Sequence, residues 1–174
     1  MALESFASNT PENMSILQAT KFTFLFPDMP YLKYFAQTIS LPGVSTSEVM
    51  VPTPFVNTYR HGDKLNFEVF TITALMDEDL RLWEETYNWL KGLTGPTGKD
   101  EYLRKTIKSP PDRLYLDGFL TINTNSNRPN IKVKFRNCHP TSLGAINFDT
   151  KVDADTIPVC DITFRYDYYE IERV

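Results

Sequence analysis

Residues 39–63 read ISLPGVSTSEVMVPTPFVNTYRHGD, and the rest of the chain is organised around them. Pro42-Gly43 opens the stretch with a turn pair and Gly62-Asp63 is expected to close it with another. Between them lie two short runs, residues 47–51 and 55–60, rich in β-branched and aromatic side chains. The chain therefore goes out and comes back, with Pro52 and Pro54 near the reversal. Each proline removes one backbone donor, so this arm cannot sit in the middle of a fully paired sheet. Val49, Val51, Phe55, Val56 and Tyr59 are many apolar side chains for a hairpin standing alone. Either the arm folds back on its own core or another copy of the protein covers it.

The surrounding chain has 174 residues, enough for one domain with a substantial core, expected over residues 16–174. Residues 1–15 are small, polar and acidic and read as a flexible tail. A hydrophobic content of 41% and a charged content of 23% are those of an ordinary soluble domain. Twelve Phe and nine Tyr against seven Gly tilt the composition towards β-structure. The net charge of −4 argues against a nucleic-acid binder, which needs a cationic surface to displace phosphate counterions. Cys138 and Cys160 read as two free thiols rather than a disulfide framework. The N-terminus lacks the basic start and apolar core of a signal peptide. No apolar run approaches the ~20 residues of a bilayer span, so no membrane insertion is expected.

Strand signals dominate the order. Phe22, Phe24 and Phe26 alternate with smaller residues, and after a turn at residues 27–30 a second extended run over 31–39 is expected to form a hairpin with the first. Residues 65–76 read as one long strand, apolar or Thr-rich on both faces from Phe70 onward. One helix is expected over residues 78–91, with Asp77, Glu78 and Asp79 at the positive end of its dipole and Gly92 past its end. Leu80, Trp83, Tyr87 and Leu90 form one apolar stripe. Leu82 and Trp89 lie roughly half a turn away, at about 100° per residue. That second stripe means either a helix sunk deep between a sheet and a loop, or a helix that meets a neighbouring subunit.

Residues 93–111 read as a loop, 113–122 as a strand and 123–130 as a hairpin tip. Ile131, Val133 and Phe135 then face a core while Lys132, Lys134 and Arg136 face out. Residues 137–144 read as a connection and 145–148 as a short strand. In the last strand, residues 157–169, Cys160, Ile162, Phe164, Tyr166 and Tyr168 alternate with Asp161, Thr163, Arg165 and Asp167. The sum is a mainly β protein: an antiparallel β-sandwich or barrel with one flanking α-helix and a protruding β-hairpin arm.

Motifs for chemistry are missing. The loop GLTGPTGKD (residues 92–100) has Leu93 where a phosphate-binding loop needs its first glycine, and Asp100 where it needs Ser or Thr. His61 and His139 are the two histidines, and neither lies in a spaced His/Cys set that would complete a metal site. No nucleophile motif accompanies His61. The carboxylates at 77–79 are what a helix start wants. No enzyme, cofactor or metal is expected.

The order of landmarks does resemble a family. A strand pair is followed by Leu41-Pro42-Gly43, then Val51-Pro52, Phe55 and Asn57, then Gly62-Asp63, a strand ending at Met76-Asp77 and a helix carrying Trp89. Farther on come Phe135, Pro140-Thr141-Ser142-Leu143-Gly144, Ile146, Phe148-Asp149 and the closing Tyr166, Tyr168-Tyr169-Glu170. This order, over most of residues 20–170, is similar to that of the tail tube proteins of T4-type contractile-tailed bacteriophages. The resemblance implies a structural subunit of a virion tail, assembled in the host cytoplasm. Its homo-oligomer would be a hexameric ring, stacked into a tube through which DNA passes without specific binding, with tail sheath and baseplate proteins as partners. It also implies an alternative, a baseplate or initiator ring of the same fold that caps or nucleates the tube.

Under this resemblance the arm would reach the next ring, and Leu82 with Trp89 could meet a neighbour. Asp161, Arg165 and Asp167, with the outer face of residues 131–136, are candidates for the lumen or the outer wall. Net negative charge suits a conduit through which DNA must slide, although Lys132, Lys134 and Arg136 would be unusual there. A reading from another class, a monomeric β-sandwich that binds a small ligand or glycan, predicts a concave pocket and a solution monomer.

Overall fold

Alternation at every second residue becomes sheet, and the aromatic face of each strand turns inward. The computed structural model describes residues 14–95, 114–151, 153 and 156–174. Their elements are β1 (Phe22–Leu25), α1 (Pro30–Phe35), β2 (Ala36–Ile39), β3 (Val44–Pro52), β4 (Asn57–Phe67), β5 (Phe70–Leu75), α2 (Arg81–Thr94), β6 (Leu116–Asn123), β7 (Pro129–Leu143), β8 (Val159–Arg165) and β9 (Tyr169–Arg173). The fold is mainly β and antiparallel. Seven strands form one sheet in the order β1-β6-β7-β8-β5-β2, with β9 also on β7, while β3 and β4 form a separate two-stranded sheet. The expectations for the tail at residues 1–13 and for most of the 93–111 loop lie outside the described residues.

The 15-residue strand β7 joins the two halves of the body. It pairs with β6 on one side, and on the other with β9 first and β8 later. Residues 137–144 therefore continue a strand rather than connect two. Asn137, at φ 55°, takes the left-handed conformation where the β6–β7 register shifts, so the strand bends without ending. Phe24, Phe26, Phe70, Phe135 and Phe164 are fully buried in the core these strands enclose. Phe70 stacks on Phe135 at 4.7 Å and on Phe164 at 5.2 Å. Such ring pairs contribute about 0.5–1.5 kcal/mol each beyond the area they bury.

Several local expectations change. β1 pairs with β6, not with the segment that follows it. That segment begins as helix α1, because Pro30 supplies the helical φ at a first turn and residues 31–35 lack true alternation. Residues 65–76 divide at Glu68-Val69 between β4 and β5, and Gly62 lies within β4 rather than in a turn. Residues 145–148 form no strand. The last strand breaks after Arg165, yet Arg136 still bonds across the break, donating to the Tyr168 carbonyl at 3.0 Å and accepting from Asp167 N–H at 3.0 Å.

Helix α2 starts at Arg81, later than the acidic run suggests. Asp77 nevertheless caps it, since its carboxylate accepts from the amides of Arg81 at 3.0 Å and Leu82 at 3.4 Å. Gly95, at φ 57°, closes the helix by donating to the Lys91 carbonyl.

Candidate assembly interface

The β3–β4 hairpin stands clear of the body. Every residue of β3 is exposed, and in β4 only Gly62 and Phe67 are half-buried. The register sets Val49 opposite Arg60, Met50 opposite Tyr59 and Val51 opposite Thr58. Because side chains alternate, Val49 and Val51 share one face while Met50 and Tyr59 share the other. Phe55 is 99% exposed at the tip, where Thr53 and Val56 exchange bonds: Thr53 N–H donates to the Val56 carbonyl at 3.2 Å, and Val56 N–H to the Thr53 hydroxyl at 3.2 Å. Pro52 ends its strand and Pro54 sits in the turn, so neither interrupts the ladder.

Of the two readings of the arm, folding back on its own core is therefore excluded. Val49, Met50, Val51, Phe55, Val56 and Tyr59 all face solvent, as does Leu65 farther down β4. Met50 and Leu65 were absent from the sequence-based set. The turn expected at Gly62 cut the arm short and hid Leu65. Met50 carried a signal, as a large apolar residue between Val49 and Val51.

Gly62 faces the place where the β3 register slips between Thr46 and Glu48. A methyl group there would overlap the Ser47 hydroxyl and lie 2.6 Å from the Ser47 carbonyl oxygen. The root of the arm is fastened to the body by Phe67, whose ring meets Tyr169 at 5.5 Å and Tyr166 at 6.0 Å. Beside it Glu68 N–H donates to the Gly43 carbonyl at 3.1 Å.

The second set of expected interface residues is corrected. Leu82 is fully buried and Trp89 is 6% exposed, both within the chain's own core. Trp89 packs edge-on against Phe26 at 5.8 Å, and its indole N–H donates to the Leu114 carbonyl at 3.0 Å. The deep side of α2 is thus the Leu82–Trp89 stripe. Its outer side carries Tyr87, stacked on Trp83 at 5.3 Å. A stripe pattern names the faces of a helix, but not which of two faces the sheet will cover.

Asp161 and Arg165 lie on the outer face of β8, and Asp167 just beyond its end. Thr73 donates to Asp161 at 2.6 Å and Asn137 to Asp167 at 2.6 Å. On the neighbouring outer face, Arg136 bridges Asp117 at 2.9 Å and Glu170 at 3.2 Å, and Lys134 lies 3.8 Å from Asp117.

The two core thiols are held in the protonated form rather than activated. Both thiols are free and buried, and burial pushes Cys138 up to about 12. Tyr166 is likewise pushed up to about 12, mainly by burial. Among the described residues no group of three or more His, Cys, Asp or Glu is arranged to hold a metal ion, and no helix is long and apolar enough to cross a membrane.

Comparison with known proteins agrees with this geometry. The chain is 22% identical over 141 residues to the tail tube terminator protein of Enterobacteria phage T4, covering 79% of this chain and 77% of that one. The fold matches the tube-terminating cap of the anti-feeding prophage with a TM-score of 0.65 at 13% identity, over 100% of both chains. It also matches a chain of the PVC sheath-tube complex, an extracellular contractile injection system in its extended state. There the TM-score is 0.65 at 14% identity, over 92% of this chain and 94% of that one. A family described as phage tail tube protein matches residues 7–172, nearly the whole chain. With that match spanning the arm, the body and the closing strands, the protein belongs to the phage tail tube protein family and is a structural protein, not an enzyme.

Proposed function

We propose that this chain is a ring-forming subunit of a contractile tail and that it acts at the end of the tube, as the terminating ring. The observation that carries the ring-forming role is the arm, a hairpin whose apolar side chains Val49, Met50, Val51, Phe55, Val56 and Tyr59 are exposed. Covering a side chain such as Phe55 or Val51 contributes about 1.5–3 kcal/mol when burial is complete. The arm of one copy lies on the body of the next, a heterologous contact that forms rings where rotation closes and stacks where it does not. Copies form hexameric rings, DNA passes through the lumen without specific binding, and sheath and tube proteins are the partners. Asp161, Arg165 and Asp167 belong to the exposed wall of that ring.

The position at the tube end is supported by the sequence relationship to a tail tube terminator, which covers more than three quarters of both chains. The second reading, a repeating subunit of the tube itself, is favoured by the family description. Copy number separates the two. Quantitative mass spectrometry of purified particles is expected to find one ring of this protein per tail. A ratio matching the sheath protein, with many rings per tail, overturns the terminating position and selects the tube. A protein absent from particles and monomeric at high concentration overturns both.

A further inference from the structure

The outward row Lys132, Lys134 and Arg136 looks like the start of a nucleic-acid-binding strip, with cations at every second residue of one strand. The flanking strands cancel it. On the β6 side, Asp117 bonds Arg136 at 2.9 Å and lies 3.8 Å from Lys134. On the β9 side, Glu170 is the register partner of Lys134 and bonds Arg136 at 3.2 Å, while Glu172 is the partner of Lys132. The ammonium groups of Lys132 and Lys134 lie 4.6 Å and 5.5 Å from the centre of the Phe119 ring. Two carboxylates, Asp117 and Glu170, thus hold Arg136 and Lys134, the Phe119 ring lies under both lysines, and Glu172 stands opposite Lys132 in the register.

We propose that this face is a masked polyanion-binding surface: Asp117 and Glu170 hold Lys134 and Arg136, and Glu172 offsets the charge of Lys132 opposite it, so that a DNA backbone can pass the row without being retained. The inference rests on the proposed role in a DNA-conducting ring. The alternative purpose of the pairs, stabilising the fold, is a weak one. The side chains of Lys134, Asp117, Arg136 and Glu170 are 23–43% exposed, and ion pairs in such positions contribute about 0–1 kcal/mol. For DNA the same charges matter much more. Each phosphate neutralised by a cation releases counterions and adds about 0.9 to the slope of log affinity against log salt.

The test uses the full chain and mixed-sequence double-stranded DNA, with retention measured across a salt series. Wild-type protein is expected to show no salt-dependent retention. The triple variant Asp117→Asn, Glu170→Gln, Glu172→Gln is expected to retain DNA with a slope approaching about −2.7, three cations at about 0.9 each. Adding Lys132→Gln and Lys134→Gln should return it towards wild type. The proposal is overturned if the folded triple variant shows no retention, or if wild type already binds with the same slope. Should the triple variant melt early, the pair Glu170→Gln, Glu172→Gln on strand β9 carries the same test, with a slope of about −0.9 or steeper expected. Loss of the ring-forming role would show separately, as absence of rings by electron microscopy for the wild-type chain.

Discussion

At the scale of single residues, the core is limited by space and by burial of ionisable groups. Gly118 is buried on β6, where an added methyl would lie 2.9 Å from the Phe26 ring and 3.3 Å from that of Phe24. Both rings are held by other aromatics and cannot yield freely. Gly118→Ala is therefore expected to destabilise by about 1–3 kcal/mol, through overpacking. Thermal melting should register it as a drop of about 2–4 °C per kcal/mol. Cys138 and Tyr166 make a second expectation. Both titrate at about 12 in the folded chain, raised by burial above their ordinary values. Between pH 9 and 12 the unfolded chain loses these protons first, so it binds fewer protons than the folded one. Stability is thus unaffected by these groups below pH 9 and falls as pH rises through 9–12. Melting temperature against pH should decline in that window. Native protein at pH 8 should leave Cys138 unreacted with a thiol reagent that labels both cysteines after denaturation.

At the scale of elements, the arm and α2 exchange the roles that periodicity alone allowed them. Trp89→Ala removes a side chain seated against Phe26 and Phe164, and is expected to cost about 3–5 kcal/mol of stability measured by denaturant unfolding. Val51→Asp with Phe55→Asp changes only exposed positions, and each should shift stability within about ±0.5 kcal/mol. The same pair of changes should abolish ring formation seen by electron microscopy. If the aspartate variant unfolds while Trp89→Ala does not, the assignment of arm and core is wrong. Part of this was legible beforehand: the arm, the aromatic faces and the strands around Phe22–Leu25, Phe70–Leu75, Leu116–Asn123 and Val159–Arg165 follow from alternation and turn residues, whereas the segments at 31–35 and 137–148 did not. The division at Glu68-Val69 was not legible either. Phe67 and Phe70 continue an apolar run, and only the ring of Tyr169 against Phe67 shows that β4 ends at the body surface.

At the scale of the whole molecule, the body encloses a buried core while the arm lies exposed. Deleting residues 45–66, which keeps Phe67 against Tyr166 and Tyr169, and joining the ends by a short Gly-rich link should leave a folded monomer at all concentrations, by analytical ultracentrifugation. The intact chain should assemble as concentration rises. Assembly by both forms would move the interface away from the arm.

Alternation of Phe22-Phe24-Phe26 and of Cys160-Ile162-Phe164-Tyr166, with the Pro and Gly positions, was enough to determine a mainly antiparallel β protein with a hairpin arm. These are short-range properties, because a strand's side chains alternate whatever its partner is. The order of turns and strands also carried the resemblance to tail tube proteins. Pairing is different, since it depends on which distant segments meet. Tertiary structure alone decided that β1 lies on β6, that Leu82 and Trp89 turn inward, and that Asp117 and Glu170 restrain Arg136. Each of those outcomes joins residues that the chain itself keeps far apart.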